Sequence, residues 1–330
     1  MAGMKKQRQH PKKVDVCPSA CFEISDSVMK FYQLDPRPQG AEANDKIFTG
    51  NAYGIEVTIS ALAGRCAANL DHHGANDTAE TPSACEQALA GAGPLPIRSW
   101  DDHGQMGEHY PMGCDALVTV RPDADSVTAM AVIVNRENAK PIDRDLVAAV
   151  GAFDRLGPSA GKPEARVSAI ARKACDFKVA LADRVQWVAD LLAGADKSEE
   201  IAALVAAHDS ELAAARQASE LSLHANGRIA CVVSTHRFAT TLGYESTSVV
   251  VAMNPEMAVD PKDASKGVYR KFTVCRYDSH VKCDLPAALK ELQALEAGWG
   301  GRGDIFGSPQ GVSSTLSVEQ VVEVVSRHLK

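Results

Sequence analysis

Leu70-Asp71-His72-His73-Gly74 is the stretch from which the rest of the chain is read. Ile55–Leu62 (IEVTISAL) and the small-residue run Ala63–Asn69 precede it, and Gly74 with the polar run Ala75–Pro82 predicts a turn directly after it. The acid and two imidazoles therefore fall where a strand ends. Successive strand residues point to opposite faces, so three adjacent ligands require the chain to be leaving its strand here. Carboxylate oxygens with imidazole nitrogen suit Mn²⁺, Fe²⁺ or Zn²⁺. Read alone, the same tripeptide is equally a capping Asp followed by two surface histidines.

A second stretch shifts the reading. Near the C-terminus stand Gly298-Trp299-Gly300-Gly301-Arg302-Gly303-Asp304, then Gly307 and Gly311. Glycines let backbone approach a ligand closely and leave N–H groups to cradle an anion. An early Asp-His-His with a late Gly-rich loop resembles the DHH phosphoesterase superfamily with a C-terminal DHHA1 domain. That resemblance implies an α/β fold: a mainly parallel-sheet domain over residues 14–157, a helical linker over 158–225, and a smaller α/β substrate-binding domain over 226–330, after a basic tail at 1–13. It also implies a Mn²⁺-type divalent metal held between the domains, and a phosphodiester or phosphomonoester substrate.

The bulk composition agrees with a soluble protein of that size. The 330 residues can form two domains with their own cores. A net charge of −7 disfavours wrapping long duplex nucleic acid, whereas a small phosphorylated molecule, a nucleotide or a short oligonucleotide can still meet a local basic and metal site. No apolar run has the roughly 18–20 residues of a membrane span. The basic stretch Met1–Lys13 has no apolar core behind it, so it is read as a solvated tail and not a secretory signal. Nine cysteines without a CxxC pair read as reduced thiols of a cytoplasmic protein. A homodimer is compatible with the composition and not required by it.

In chain order, Val14–Pro18 reads as a first strand and Ser25–Leu34 as a helix capped by Ser25. The family loop between them carries His-x-x-x-Asp-x-Asp; here Cys17–Asp26 offers only Glu23 and Asp26. Lys46–Asn51 (KIFTGN) resembles the second family strand, whose end presents a metal-bridging Asp, but Thr49, Gly50 and Asn51 supply no carboxylate. Pro82–Ala90 reads as a short helix. The segment Asp101, Asp102, His103, Glu108, His109 is a ligand-rich loop or an ordinary polar insertion.

Ala116–Val120 is a buried strand ending at Arg121-Pro122-Asp123-Ala124-Asp125-Ser126. This has the local look of the first metal motif, but it follows the Asp-His-His instead of preceding it. Either Asp123 and Asp125 cap the next helix, or they are ligands of a rebuilt site. Asp145–Asp154 has helical spacing; Asp154 matches the late ligand by position, and Arg155 could hold a phosphate oxygen or close a solvated helix end.

Glu164–Leu223 reads as helical, with His208 in its apolar stripe as a packing residue. Ile229–Ser234, Thr247–Met253 and Tyr269–Tyr277 read as strands, Pro255–Gly267 as a loop, and Leu285–Ala297 and Val318–Leu329 as helices.

The resemblance then implies a set of roles. Asp71, His72, Asp154, Asp123 and Asp125 hold metal, and His72 and His73 take part in catalysis. Arg155, Gly300, Gly301, Arg302, Gly303 and Asp304 hold substrate. In the family a His stands where Asp304 falls, and Arg276 with Arg302 would have to meet the phosphate instead. Three readings stay open: a divergent metal-dependent phosphoesterase, a catalytically impaired nucleotide-binding or regulatory relative, and an unrelated α/β protein with a chance Asp-His-His.

Overall fold

The computed structural model describes residues 29–36, 40–48, 51–73, 81–92, 114–260, 263–277, 282–301 and 303–330. The tail at 1–13, the strand expected at 14–18, Glu23, Asp26, the segment 101–109 and Arg302 lie outside them.

Among the described residues the first half is built on four parallel strands: β1 (Lys30–Gln33), β2 (Ala52–Ile55), β3 (Asn69–Leu70) and β4 (Ala116–Thr119), in the spatial order β1-β4-β2-β3. The last strand in sequence is thus inserted between the first two. Around it lie α1 (Ala41–Ile47), α2 (Ser60–Ala63), α3 (Ala84–Leu89), α4 (Ala124–Glu137) and α5 (Arg144–Leu156), the last running into a 3₁₀ turn at Gly157–Ala160.

α4 is the centre of this core. After Asp125 its sequence carries no charge until Arg136, and every residue from Ala124 to Asn135 is buried. A helix that is apolar all round must be covered all round, and α3, α5, α6 (Ala165–Ala174) and α7 (Leu181–Leu192) pack against it. Asp123 caps it, accepting from the Ser126 N–H at 3.0 Å.

Two expected elements are corrected here. The helix expected to run to Leu34 is, in its described part, strand β1. Its Phe31 packs into the core with α4 while Tyr32 packs into the cluster on the opposite sheet face, the period-two alternation of a strand. In the segment Lys46–Asn51, expected to be a strand, Lys46 and Ile47 end helix α1, and the strand starts at Ala52. Asn44 of α1 is buried and exchanges hydrogen bonds with the Asp35 backbone just past β1.

Helices α6, α7 and α8 (Ser198–Gln217) follow. The helical run stops six residues earlier than expected, and Glu220–His224 is strand β5. His208 is half-buried, edge-on to Phe238 at 5.1 Å, and belongs to none of the metal-type clusters among the described residues.

Among the described residues the second sheet has six strands in the order β5-β6-β7-β8-β10-β9. They comprise β6 (Ile229–Val233), β7 (Val249–Ala258), β8 (Val268–Arg276), β9 (Gly300–Gly301) and β10 (Ile305–Gly307). β7 continues through Pro255–Ala258, where a loop was expected, with an irregularity between Asn254 and Met257. Its core packs one sheet face against α10 (Leu285–Leu295) and α11 (Val318–Arg327), while the short α9 (Ala239–Tyr244) covers part of the other. The fold is thus α/β with two separate sheets.

One contact predicts a measurable stability effect. Glu296 follows α10 and accepts from Trp299 Nε1 (2.8 Å), Ser314 Oγ (2.7 Å), Thr315 N (2.6 Å) and Thr315 Oγ1 (2.9 Å), tying the glycine-rich turn to the segment leading into α11. Burial alone would raise its carboxyl, but these donors outweigh it and hold the group below its ordinary range. Glu296→Ala is expected to cost about 2 kcal/mol in urea unfolding. The wild-type contribution is present above the ordinary Glu value of about 4.3 and is lost as pH falls through the lowered folded value. The wild type should therefore lose its advantage over the variant in acid.

Candidate metal centre

All four strands of the first sheet run the same way, so the residues just past their carboxyl ends share one edge, the edge at which open α/β sheets place ligands. Glu56 follows β2, Asp71-His72-His73 follow β3, and Asp123 and Asp125 follow β4. Asp154 comes to the same place from the last turn of α5. One ligand atom each of Glu56, His72, Asp125 and Asp154 lies within 4.8 Å of the other three.

His72 Nε2 is 3.0 Å from Asp154 Oδ2 and 3.2 Å from Glu56 Oε1. Glu56 is 4% exposed and His72 6%, so the contact is shut away from water. Yet Glu56 Oε1 and both ring nitrogens of His72 make no well-aligned hydrogen bond. Buried polar atoms without partners cost free energy. Of these, His72 Nε2 faces Glu56 Oε1 and Asp154 Oδ2, as ligands of one ion would face one another.

The electrostatics have the same character. Burial pushes the Glu56 carboxyl well above its usual range, and the nearby charges of Asp123, Asp125 and Asp154 push the same way, against the neighbouring His72. Burial also raises Asp125, with Asp154 adding to it, and raises Asp123. Burial works against a charged His72, but the Asp154 and Glu56 carboxylates outweigh it and take the ring up to about 10. A buried group of acids that cannot all be charged together is a site that favours a cation. Oxygen ligands with one imidazole fit a divalent ion of the Mn²⁺, Fe²⁺ or Zn²⁺ kind.

Glu56 is the residue that the sequence reading missed. It holds φ at +52°, a left-handed conformation uncommon outside glycine. The available signal was an isolated acid inside the apolar run Ile55-Glu56-Val57.

The other expected site residues divide as follows. Asp71 lies outside that group and outside a second metal-type group made by Glu56, His72 and His73. Its carboxylate accepts from the His73 N–H at 2.9 Å and lies 2.9 Å from His73 Nδ1, so it orients His73. His73 Nδ1 is 3.5 Å from Glu56 Oε1, and its ring lies 4.4 Å from that of His72. Of its two alternative readings, Asp123 shows the cap on α4; it lies outside the metal-type groups, although its charge bears on Glu56. Asp125 is held by α3, accepting from Ser83 Oγ (2.8 Å), Cys85 N (2.9 Å) and Ala84 N (2.7 Å).

Arg155 is engaged by Glu86 in a two-pronged pair, Nε at 2.8 Å and Nη2 at 3.0 Å, which ties α5 to α3 beside Asp154. Gly300 and Gly301 form a hairpin strand. Gly301 has φ +149°, and a Cβ there would sit 2.5 Å from Ile305 O and Phe306 Cα, so backbone packing alone requires glycine. Asp304 receives the Arg276 N–H on its carbonyl at 2.8 Å, while Arg276 Nη1 donates to Cys283 O at 2.8 Å.

Fold and site together define an α/β protein with a carboxylate–imidazole centre at the carboxyl edge of a parallel sheet. No family model matches the sequence, and no curated protein matches it. Among solved structures, the chain is similar to the pGpG-specific phosphodiesterase PggH from Vibrio cholerae, at 9% identity and TM-score 0.36, over 78% of this chain and 92% of that one. It is similar to the DHH domain of a member of the s1p family of ribosomal proteins, at 14% identity and TM-score 0.34, over 62% of this chain and 53% of that one. It is also similar to an exopolyphosphatase-related protein from Bacteroides fragilis, at 10% identity and TM-score 0.36, over 87% of this chain and 73% of that one. No helix among the described residues is long and apolar enough to cross a membrane.

Proposed function

We propose that this chain is a divalent-metal-dependent phosphoesterase of the DHH type, acting on a small nucleotide, a short oligonucleotide or a similar phosphorylated small molecule. The observation that carries the reading is the convergence of Glu56, His72, Asp125 and Asp154, four buried or half-buried side chains from four separate segments. Glu56 takes the part of the bridging acid at the second family strand, and Asp123-x-Asp125 the part of the first metal motif. The motifs are permuted along the chain and adjacent in space, because β4 lies beside β2 in the sheet.

Glu56, His72, Asp125 and Asp154 would hold one ion. A divalent ion bound there supplies a Lewis acid and a bound water acidic enough to act near neutral pH. The chain's own part is to orient and to exclude water. Asp71 fixes the His73 ring, Glu86 with Arg155 holds the end of α5 that carries Asp154, and α3 fixes Asp125. Asp123 lies outside that group, and the buried Thr119 hydroxyl, unpartnered among the described residues, stands by spacing where the family motif has its His. This supports one well-held ion over a matched pair.

The test is elemental analysis of the purified protein, followed by assays on a panel of small phosphodiesters and phosphomonoesters with Mn²⁺ and with chelator. Metal-dependent turnover that chelator abolishes is expected. Stoichiometric metal without turnover on any of the panel would favour the nucleotide-binding relative, and absence of bound metal would remove both readings.

A further inference from the structure

β5 is the outer strand of the second sheet. It pairs antiparallel with β6, and among the described residues nothing lies along its other side. An open strand edge is a template for another strand, and proteins usually blunt it with a proline, a bulge or a charge in its middle. Glu220-Leu221-Ser222-Leu223-His224 has none of these, and its only ionisable residues are the two terminal ones.

The two leucines are 45% and 53% exposed, although both are strand residues. Leu221 lies opposite Val232 and Leu223 opposite Ala230, both fully buried in the small cluster under α9. Directly opposed residues share a face. α9 is six residues long and packs on β6 and β7, so the leucines form the uncovered rim of that cluster. On the other face, Ser222 Oγ is 2.9 Å from His224 Nε2.

We propose that β5 pairs with β5 of a second copy of this chain, antiparallel about a two-fold axis at Ser222, joining two six-stranded sheets into one. The five-residue sequence is self-complementary in that register. Glu220 lies opposite the partner's His224, Leu221 opposite the partner's Leu223, and Ser222 opposite the partner's Ser222. A slip of one residue sets Glu220 against the partner's Leu223 and Leu221 against the partner's Ser222, losing both matches. Symmetric closure also uses up the open edge on both copies, which addition of a single peptide strand does not. The interface lies on the second sheet and leaves the metal-type cluster of the first sheet untouched.

The full chain, examined by analytical ultracentrifugation over a range of concentrations, is expected to sediment at twice its 35.1 kDa mass. Leu223→Lys and Leu221→Lys are each expected to weaken the dimer at least about tenfold. The circular dichroism, the melting midpoint extrapolated to low concentration and the metal-induced melting shift should all stay unchanged. Glu220→Lys should weaken the dimer, and adding His224→Glu should restore it, because the swap preserves complementarity only in this register. Cross-linking with mass spectrometry should join β5 peptides of two chains. A wild-type monomer at every concentration would overturn the proposal, as would a dimer indifferent to both lysine variants. Cross-links from β5 to residues 1–28 or 93–113 of the same chain, or to a co-purifying protein in place of a second copy, would overturn it equally.

Discussion

Metal-stripped protein is expected to melt at a higher temperature when Mn²⁺ is added, and Glu56→Gln is expected to abolish that rise without lowering the melting point of the stripped protein. The reason is an imbalance of charge. Glu56 is buried among Asp123, Asp125 and Asp154, with His72 as the cationic partner. Removing one acid from such a group relieves repulsion and desolvation in the empty site, while removing a ligand from the filled one. A ligand at about 100 times its Kd stabilises by about 2.7 kcal/mol, equivalent to roughly 5–11 °C at about 2–4 °C per kcal/mol for a domain of this size class. That whole shift should vanish in Glu56→Gln and in His72→Ala. If a metal-dependent hydrolysis is found, both variants should lose at least about 10²-fold in rate, since ion-based charge stabilisation amounts to several kcal/mol. Persistence of the metal-induced shift in both variants would show that the ion binds elsewhere.

Asp125→Ala should behave differently, and the contrast separates anchoring from ligation. The Asp125 carboxylate receives the Ser83 hydroxyl and the N–H groups of Ala84 and Cys85, joining α3 to the first turn of the fully buried α4. Alanine leaves three buried donors unpaired and removes the bridge between two core helices. The expected loss is about 3–5 kcal/mol in urea unfolding, against a much smaller change for His72→Ala. Asp125→Asn keeps one acceptor oxygen and should recover a good part of the stability while still impairing metal binding. A loss below about 1 kcal/mol for Asp125→Ala would mean that α3 does not depend on this carboxylate.

Both predictions turn on residues that the sequence displayed unequally. Asp123 was legible as a cap because capping is local: an acid three residues before Ser126, next to an apolar run. The α5 helix with Asp154 near its end was legible from its own apolar spacing, and so was the buried strand β4 from four consecutive apolar and β-branched residues. Asp71-His72-His73 stood out by composition, and the chain does leave its strand just before them, after β3. The glycine-rich turn was visible too, although at Gly301 the close approach is to the chain's own Ile305 and Phe306.

What the sequence by itself determined was therefore the α/β class, the presence of a sheet in each half, and His72, Asp125 and Asp154 as candidates for the cluster. Each of these is written in periodicity, capping or composition over a few neighbouring residues. Only the tertiary structure decided that Glu56 and Asp125 join His72 and Asp154 in one cluster, that Asp71 orients His73, and that Arg155 is engaged by Glu86. It also decided that β4 lies between β1 and β2, which sets the Asp123–Asp125 loop beside Glu56 and His72 despite its late place in the chain. Strand order and the convergence of side chains depend on contacts between residues tens of positions apart. No local pattern encodes such contacts, because the free energy that selects them comes from burying α4 on every side at once.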